Sequence, residues 1–597
     1  MAEQIISPGV FTNEDVPTIL EAAAAPIGAA IVGPTPLGPV NIPTLCTTFT
    51  DFTAKFGTTF ESGSDDHSFL TSISAFNYFQ QGGTNLLVTR VVSGSRGIFD
   101  AATSSFIVAS GAYNSSGGDG AGVEVTTNLF TLKTFGEGQV LNSSASFGKY
   151  VQSQSGSLSS GSKDNLRWEI TNVDLAKGTF ALSIRQGDDS VDNKKVLETF
   201  RSLTLDPNSD NYIEKIIGNY NRQVAVDSDD SSIYIQKLGE YANQSAYIYV
   251  DEVRETTPDY LDAAGNRTQD AYTASMPSPQ IGAFVGGRGT LFTEGVTNLN
   301  LNDKISDGNY QGLINSDYTD VMNLLIDKDE YKFNLISTPG LIYDSTTDSA
   351  VNTLINTVTS RGDAIYPLDS AYYTDGVDAV ITAAEGLDSN FAATYWPWVL
   401  TTDPLTNKAV WAPASTIIPS VYVFNDTVTA AWFAPAGLTR GSMRNVILPA
   451  RSLPRGERDK LYEGKINPIV KFPSTGVAVY GQKTLQSVAS ATDRVNVRRL
   501  LIALKNFIGT VAEGLVFEPN SLATRNAFLA VVTPYLELVQ QRQGLFAFKV
   551  TMDDTNNGPD VIDRNELRGS IFIQPVKAAE FIVLDFNVLP TGAEFPG

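Results

Sequence analysis

The stretch from Tyr318 to Leu368, YTDVMNLLIDKDEYKFNLISTPGLIYDSTTDSAVNTLINTVTSRGDAIYPL, alternates two hydrophobic patterns. Apolar residues at helical spacing predict a helix near Tyr318 to Lys328, and a short apolar run predicts a strand at Phe333 to Ser337. The pair then repeats, as a helix near Thr347 to Arg361 and a strand at Asp363 to Leu368. Such alternation implies an α/β core, within a chain of mixed α/β and α+β character.

The same grammar appears upstream. Phe69, Leu70, Ile73, Phe76 and Phe79 predict a helix over His67 to Gln81, with Asp65 and Asp66 near its positive end and Gly82-Gly83 as its stop. A buried strand follows at Asn85 to Val92. Ala22 to Gly57, rich in Pro and Gly with short runs at Ala29 to Val32 and Pro43 to Thr48, reads as strands joined by tight turns. Before it, a turn at Pro8-Gly9 and then Val10, Phe11 and Val16 without helical spacing read as an extended arm that has no core of its own.

Between about Gly94 and Met276 the composition shifts to Ser, Gly, Asn and Asp with alternating runs such as Trp168 to Val173 and Thr179 to Ile184, a peripheral β-rich insertion facing water. Ser153 to Ser162 is a solvated loop within it. Downstream, a helix is expected near Thr492 to Val511 and another from Asn520, broken or restarted at Thr533-Pro534. Strands are expected at Leu545 to Thr551, Leu567 to Gln574 and Glu580 to Val588.

The 597 residues are too many for one core and suggest about four units. The expected division is an arm at 1–21, a discontinuous α/β core at 22–93 and 277–440, the insertion at 94–276, an inner C-terminal domain at 441–575, and a terminal strand or arm at 576–597.

Charge and rare residues exclude whole classes of function. A formal charge of −23 repels nucleic acid and acidic membranes, so neither is an expected partner. One Cys (Cys46) and one His (His67) leave no disulfide within the chain and no Cys/His zinc site. The first residues carry no basic cluster, and Ala22 to Val32 is too short to span a bilayer, so the chain reads as soluble and made in a cytoplasm. The charge is divided, however. Arg440 to Thr510 holds thirteen basic residues against four acidic ones. That window can attract copies of the chain head to tail, meet an acidic partner, or be a solvated face.

Catalytic and ligand motifs are sought with little return. There is no GxxxxGK[ST] loop, and Gly286, Gly287 and Gly289 lack dinucleotide spacing. No GxSxG or HExxH occurs, and His67 reads as a capping or surface residue. DDTNNGPDVIDR (Asp553 to Arg564) resembles a calcium loop but has Thr555 and Arg564 where ligands belong, so it reads as a turn between strands. Asp188-Asp189 and Asp229-Asp230 could serve a glycosidase, though solubility explains them better. Tyr395-Trp396-Pro397-Trp398 and Ala431-Trp432-Phe433 could bind sugar or peptide, with core or subunit contact the commoner use. No catalytic residue, cofactor or metal is expected.

The two ends carry a resemblance. SPGVFTNEDV (Ser7 to Val16), APIGAAIVGPTPLGPVNIP (Ala25 to Pro43) and FTDFTAKFG (Phe49 to Gly57) resemble the start of contractile tail sheath proteins of phages and related injection machines. NPIVKFPSTGVAVYGQKTL (Asn467 to Leu485), DRVNVRRLLIALKNFI (Asp493 to Ile508), FEPNSLATR (Phe517 to Arg525) and VKAAEFIVLDF (Val576 to Phe586) are similar to that family's C-terminal domain. Tyr480 and Lys483 stand where the family often shows Trp and Arg. About Gly94 to Met276 matches nothing, as fits a family with variable outward insertions.

The resemblance implies a sheath-type fold whose terminal arms add strands to neighbouring subunits. Ile5, Ile6, Val10 and Phe11 would serve one arm, and Phe581, Val583, Asp585 and Phe586 the other. It also implies stacked hexameric rings around an inner tail tube, with baseplate and tail terminator proteins as further partners and no nucleotide consumed. The sheath would be assembled in the host cytoplasm and belong to the virion. Arg494, Arg498 and Lys505 share one side of a helix that the resemblance places near the tube, so they are expected to face it. The rival readings are a carbohydrate-binding or carbohydrate-cleaving virion surface protein and a static tube or surface array.

Overall fold

The computed structural model describes residues 28–62, 65–92, 129–135, 166–190, 192–227, 233–277, 279–284, 305–306, 309–343, 349–473 and 475–580. Residues 1–27 and 581–597, and with them all eight arm residues named above, lie outside the described residues. So do Ser153 to Ser162 and Asp229-Asp230.

The α/β core is built on two sheets. In the first, Phe333–Ser337, Gly28–Gly33 and Leu86–Arg90 are parallel neighbours, and Thr44–Cys46 joins the outer edge antiparallel. All six residues of Gly28–Gly33 are buried, as befits a strand covered on both faces. In the second, Tyr366–Leu368, Ala392–Trp396 and Ile466–Phe472 are parallel and Gly476–Val479 closes the edge antiparallel. An isolated parallel bridge between Leu335 and Ile365 links the two sheets. Helix Asn315–Leu324 packs on Gly28–Gly33 of the first sheet, and Ser349–Arg361 packs on that helix and on Tyr366–Leu368 of the second.

Two expectations in the N-terminal part need correction. Phe49–Phe56 is a helix within the region read as strands and turns. Thr48 caps it by accepting from the Asp51 amide at 3.0 Å, Asp51 pairs with Lys55, and Phe52 and Phe56 are fully buried. The next helix is Leu70–Gln80, so His67 sits upstream of it, in the strand Asp65–His67, and is 7% exposed. Arg90 is fully buried and donates to the Thr35, Pro36 and Gly38 carbonyls, tying down the Pro/Gly-rich turn.

Residues of the insertion make a core of their own, which runs past the expected end at 276 to take in Gln280–Ala283 and Phe284. Gln280–Ala283, Leu166–Asp174, Thr179–Gln186 and Val196–Leu203 form an antiparallel sheet, and Trp168, Phe180, Leu182 and Phe130 pack beneath it. It is not wholly turned outward, because Ile233 and Ile235 of the hairpin Asn221–Val226/Ile233–Leu238 pack against the α/β core.

The boundary expected at residue 440 falls inside one core. Met443, Ile469, Val477 and Val479 share a cluster with Ile31, Leu86 and Tyr395. The charge reversal there does not mark a change of core. A separate cluster begins at Leu500 and takes in Phe528, Val532, Leu536, Leu545 and Met552. It joins the helices Val495–Glu513 and Leu522–Gln541, where Phe507 and Tyr535 stack with centroids 3.8 Å apart, to a hairpin of Leu545–Thr551 and Ser570–Pro575. The second helix runs through Pro534 without the break expected there. Pro534 and Ala530, whose carbonyl loses its i+4 donor, are both exposed, so water can satisfy that oxygen while Phe528, Val532 and Leu536 hold the other face.

Candidate functional site

The C-terminal hairpin pairs only with itself among the described residues, leaving both outer edges without a partner strand. A lone two-stranded sheet is marginal in water and needs a surface to lean on. One face supplies this: Phe548 lies across from Ile573 and Val550 across from Ile571, all packed on the helix pair. The other face carries Lys549 across from Phe572, which is 62% exposed. A bulge between Leu545 and Ala547 turns Phe546 outward to 75% exposure.

From Pro575 the chain leaves the hairpin and ends its described course at Glu580, where four side-chain donor atoms converge. Arg494 donates from Nε at 2.7 Å and from its terminal nitrogen at 3.1 Å, the Tyr462 hydroxyl donates at 2.8 Å, and Gln482 Nε2 at 3.1 Å. Burial pushes the Glu580 carboxyl up, but the hydrogen bonds from Arg494, Tyr462 and Gln482 together outweigh it and hold the pKa below the ordinary value. Lys483 stands behind, its Nζ 4.3 Å from the Tyr462 ring centre and donating to the Tyr462 carbonyl at 2.6 Å. Its ammonium is pushed down by burial, and next by the Arg494 charge.

The three cations expected to face a tube do not form one exposed stripe. Arg494 is held by Glu580 and Asp493. Arg498 is 5% exposed with its guanidinium 4.0 Å from the Phe391 ring centre, and burial pushes its pKa down to about 10. Lys505 alone of the three is exposed. The reason is that residues Val495 through Leu500 are buried all round, so the start of the helix has no wet face.

Other cations of the basic window also lie on rings: Arg444 on Phe424 at 4.2 Å, Arg499 on Tyr422 at 4.5 Å, Arg440 on Phe433 at 5.0 Å and Arg458 on Tyr480 at 5.9 Å. Much of the window is therefore a seam of cations laid on aromatic side chains. Sequence reasoning missed this pairing, and missed Glu580 as the anchor of the tail. The only sequence signal was the density of aromatics near the arginines.

The chemical alternatives find their residues otherwise engaged. Asp189 is buried between Arg167 at 2.7 Å and Arg185 at 2.6 Å, and Asp188 pairs with Lys195 at 2.6 Å. Tyr395, Trp396 and Trp398 are core residues, and Trp432 donates to the Arg542 carbonyl at 3.1 Å. In the calcium-like segment Asn557, 1% exposed, braces the turn by donating to the Asp553 and Arg568 carbonyls. Among the described residues no group of three or more His, Cys, Asp or Glu is placed to hold a metal ion, and no helix is long and apolar enough to cross a membrane.

Residues 311–485 match the phage tail sheath protein central domain and residues 487–588 the phage tail sheath C-terminal domain. The chain is 37% identical over 231 residues to the tail sheath protein of Vibrio phage KVP40, covering 39% of this chain and 33% of that protein. It is 35% identical over 246 residues to the tail sheath protein of Enterobacteria phage T4, covering 41% of this chain and 35% of that one. The match thus spans about a third of the length of these curated relatives. Among solved structures, a sheath tail protein from Listeria innocua aligns over 92% of this chain and 95% of its own at 10% identity and a TM-score of 0.47.

Proposed function

Taking residues 311–588 as the central and C-terminal domains of a contractile tail sheath protein, we propose that the chain is the repeating subunit of such a sheath. Copies stack as hexameric rings around an inner tail tube. Their switch from an extended to a contracted packing drives the tube, and the genome behind it, into a host. The sheath abuts baseplate and terminator proteins, is part of the virion, and is assembled in the host cytoplasm.

The observation that carries this reading is the hairpin Leu545–Thr551/Ser570–Pro575 with both edges open, set beside a tail root fixed at Glu580. Strands from residues 1–21 and 581–597 of neighbouring copies complete that sheet through main-chain hydrogen bonds. Ile5, Ile6, Val10, Phe11, Phe581, Val583, Asp585 and Phe586 are the proposed strand residues. Linked sheets then keep subunits joined while their bodies change packing, and a gain of about a few kcal/mol per subunit, summed over many copies, supplies the work without nucleotide. The grip on the tube is ionic and easily broken. Lys505, the exposed cation of the three, makes it, with Arg494 and Arg498 holding its helix in place.

Electron microscopy of the purified chain and of a chain lacking residues 581–597 tests this. The full chain is expected to form striated tubes in long and short forms, and the shortened chain to stay folded but unpolymerised. Tubes formed equally by both chains would refute strand exchange through the C-terminal tail.

A further inference from the structure

Phe517 stands apart from every other residue at a positive φ. Ten non-glycine residues of the described chain adopt that conformation, and the other nine are polar, four of them Asn. Phe517 has φ +72° and is 103% exposed, so its ring is covered by none of the described residues. A left-handed backbone and a wet aromatic ring are both costly, and neither is offset locally. It sits at the turn between the two long helices with Val516 and Leu522 exposed on either side, and Glu518 beside it is also exposed.

The hairpin's outward face offers the counterpart: Phe572 and Lys549 side by side across the strands, with Phe546 nearby. One surface is an aromatic ring beside a carboxylate, the other an aromatic ring beside an ammonium. The helix Leu522–Gln541 leads from the Phe517 turn to the hairpin, whose far end folds back toward the helix start through Arg525 on Asp554 at 2.6 Å and Asn520 on the Glu566 carbonyl at 2.8 Å. Both rings are left exposed, Phe517 fully and Phe572 to 62%, so the two complementary patches are open to a head-to-tail contact between copies.

We propose that Phe517 is a docking knob that seats on the outward face of the hairpin of a second copy of this chain, with Glu518 against Lys549. The proposal rests on the sheath reading for its biological setting, but uses the face of the hairpin and not its edges. It gives the C-terminal domains a specific side-chain contact in addition to strand exchange.

Two single-cysteine variants of the full chain that keep both rings, V516C beside Phe517 and Q574C on the hairpin's outward face, test this when mixed and treated with a short bismaleimide. Native Cys46 is fully buried and the untreated and wild-type chains serve as controls. A heterodimer joining the two new thiols is expected. Its absence, a dominant V516C homodimer, or a V516C thiol shielded within the monomer by the chain's own termini would each overturn the knob.

A second arm uses F517G, which relieves the backbone strain. It is expected to melt no lower than wild type yet to need at least about ten times more protein to associate. E518K and K549E should each weaken association and, combined, restore it. Wild-type striated tubes with no heterodimer would sink the knob and leave the sheath reading standing. A heterodimer without any tubes would support the knob and count against the sheath.

Discussion

Arg494 and Glu580, 86 positions apart, are joined by two hydrogen bonds of 2.7 and 3.1 Å. The pair connects the residue preceding the long helix to the last described residue of the tail, so the tail's starting direction is set by the body of the same molecule. An arm meant for a neighbour needs such a root, since a strand swinging freely would lose more entropy on docking.

E580Q is therefore expected to free the root. Both side chains are partly exposed, so screening limits the loss to about 1 kcal/mol of stability, while assembly should suffer more. The pH dependence has a defined sign. The folded pKa lies below the ordinary 4.5, so the stabilisation is present above that value and is lost as pH falls through the lowered folded value. Tail protease sensitivity measured against pH should rise in acid for wild type and be high throughout for E580Q.

Asp369 gives the opposite slope. Burial pushes its carboxyl up to about 7, only partly opposed by the hydrogen bonds it accepts from the Ser415 hydroxyl and amide. Because the folded pKa exceeds the ordinary 3.8, ionisation costs the folded state nothing below that pH and increasingly more as pH rises toward 7. Subtracting the melting temperatures of D369N from those of wild type across this range should reveal a decline in the wild-type value that the variant lacks.

How much of this could be read in advance depended on how local its cause was. The strands Phe333–Ser337 and Leu545–Thr551 have the expected bounds because each is a compact apolar run between breakers. Phe49–Phe56 was legible only through its Thr48/Asp51 cap, a signal that the surrounding Pro and Gly outweighed. Arg498 shows the limit. Helical spacing places it beside Arg494 and Lys505, but its burial comes from Phe391, more than a hundred positions away and on another element. The division near residue 500 was hidden for the same reason, since strand partners such as Ala392–Trp396 and Ile466–Phe472 are distant in sequence.

Pro534 offers a test of the uninterrupted helix. With φ already suited to the helix and its face exposed, P534A restores one amide donor to the Ala530 carbonyl without adding bulk. The variant is expected to be more stable by about 1 kcal/mol, partly offset by greater freedom in the unfolded chain. Denaturant titration would show a higher midpoint with an unchanged slope; a lower midpoint would mean that the proline shapes a kink that packing depends on.

Lys505 and Arg498 separate the proposed tube contact from packing, because the two cations share a helix side but not an environment. K505E reverses an exposed charge, so its stability should stay within about 0.5 kcal/mol of wild type while salt-sensitive binding to an acidic tube falls. R498A instead strips a buried guanidinium from the Phe391 ring and leaves a cavity, at a cost of about 2 to 3 kcal/mol. Co-sedimentation with tubes at rising salt, alongside thermal melts, distinguishes them. If K505E binds tubes as wild type does at every salt concentration, this helix does not supply the ionic grip.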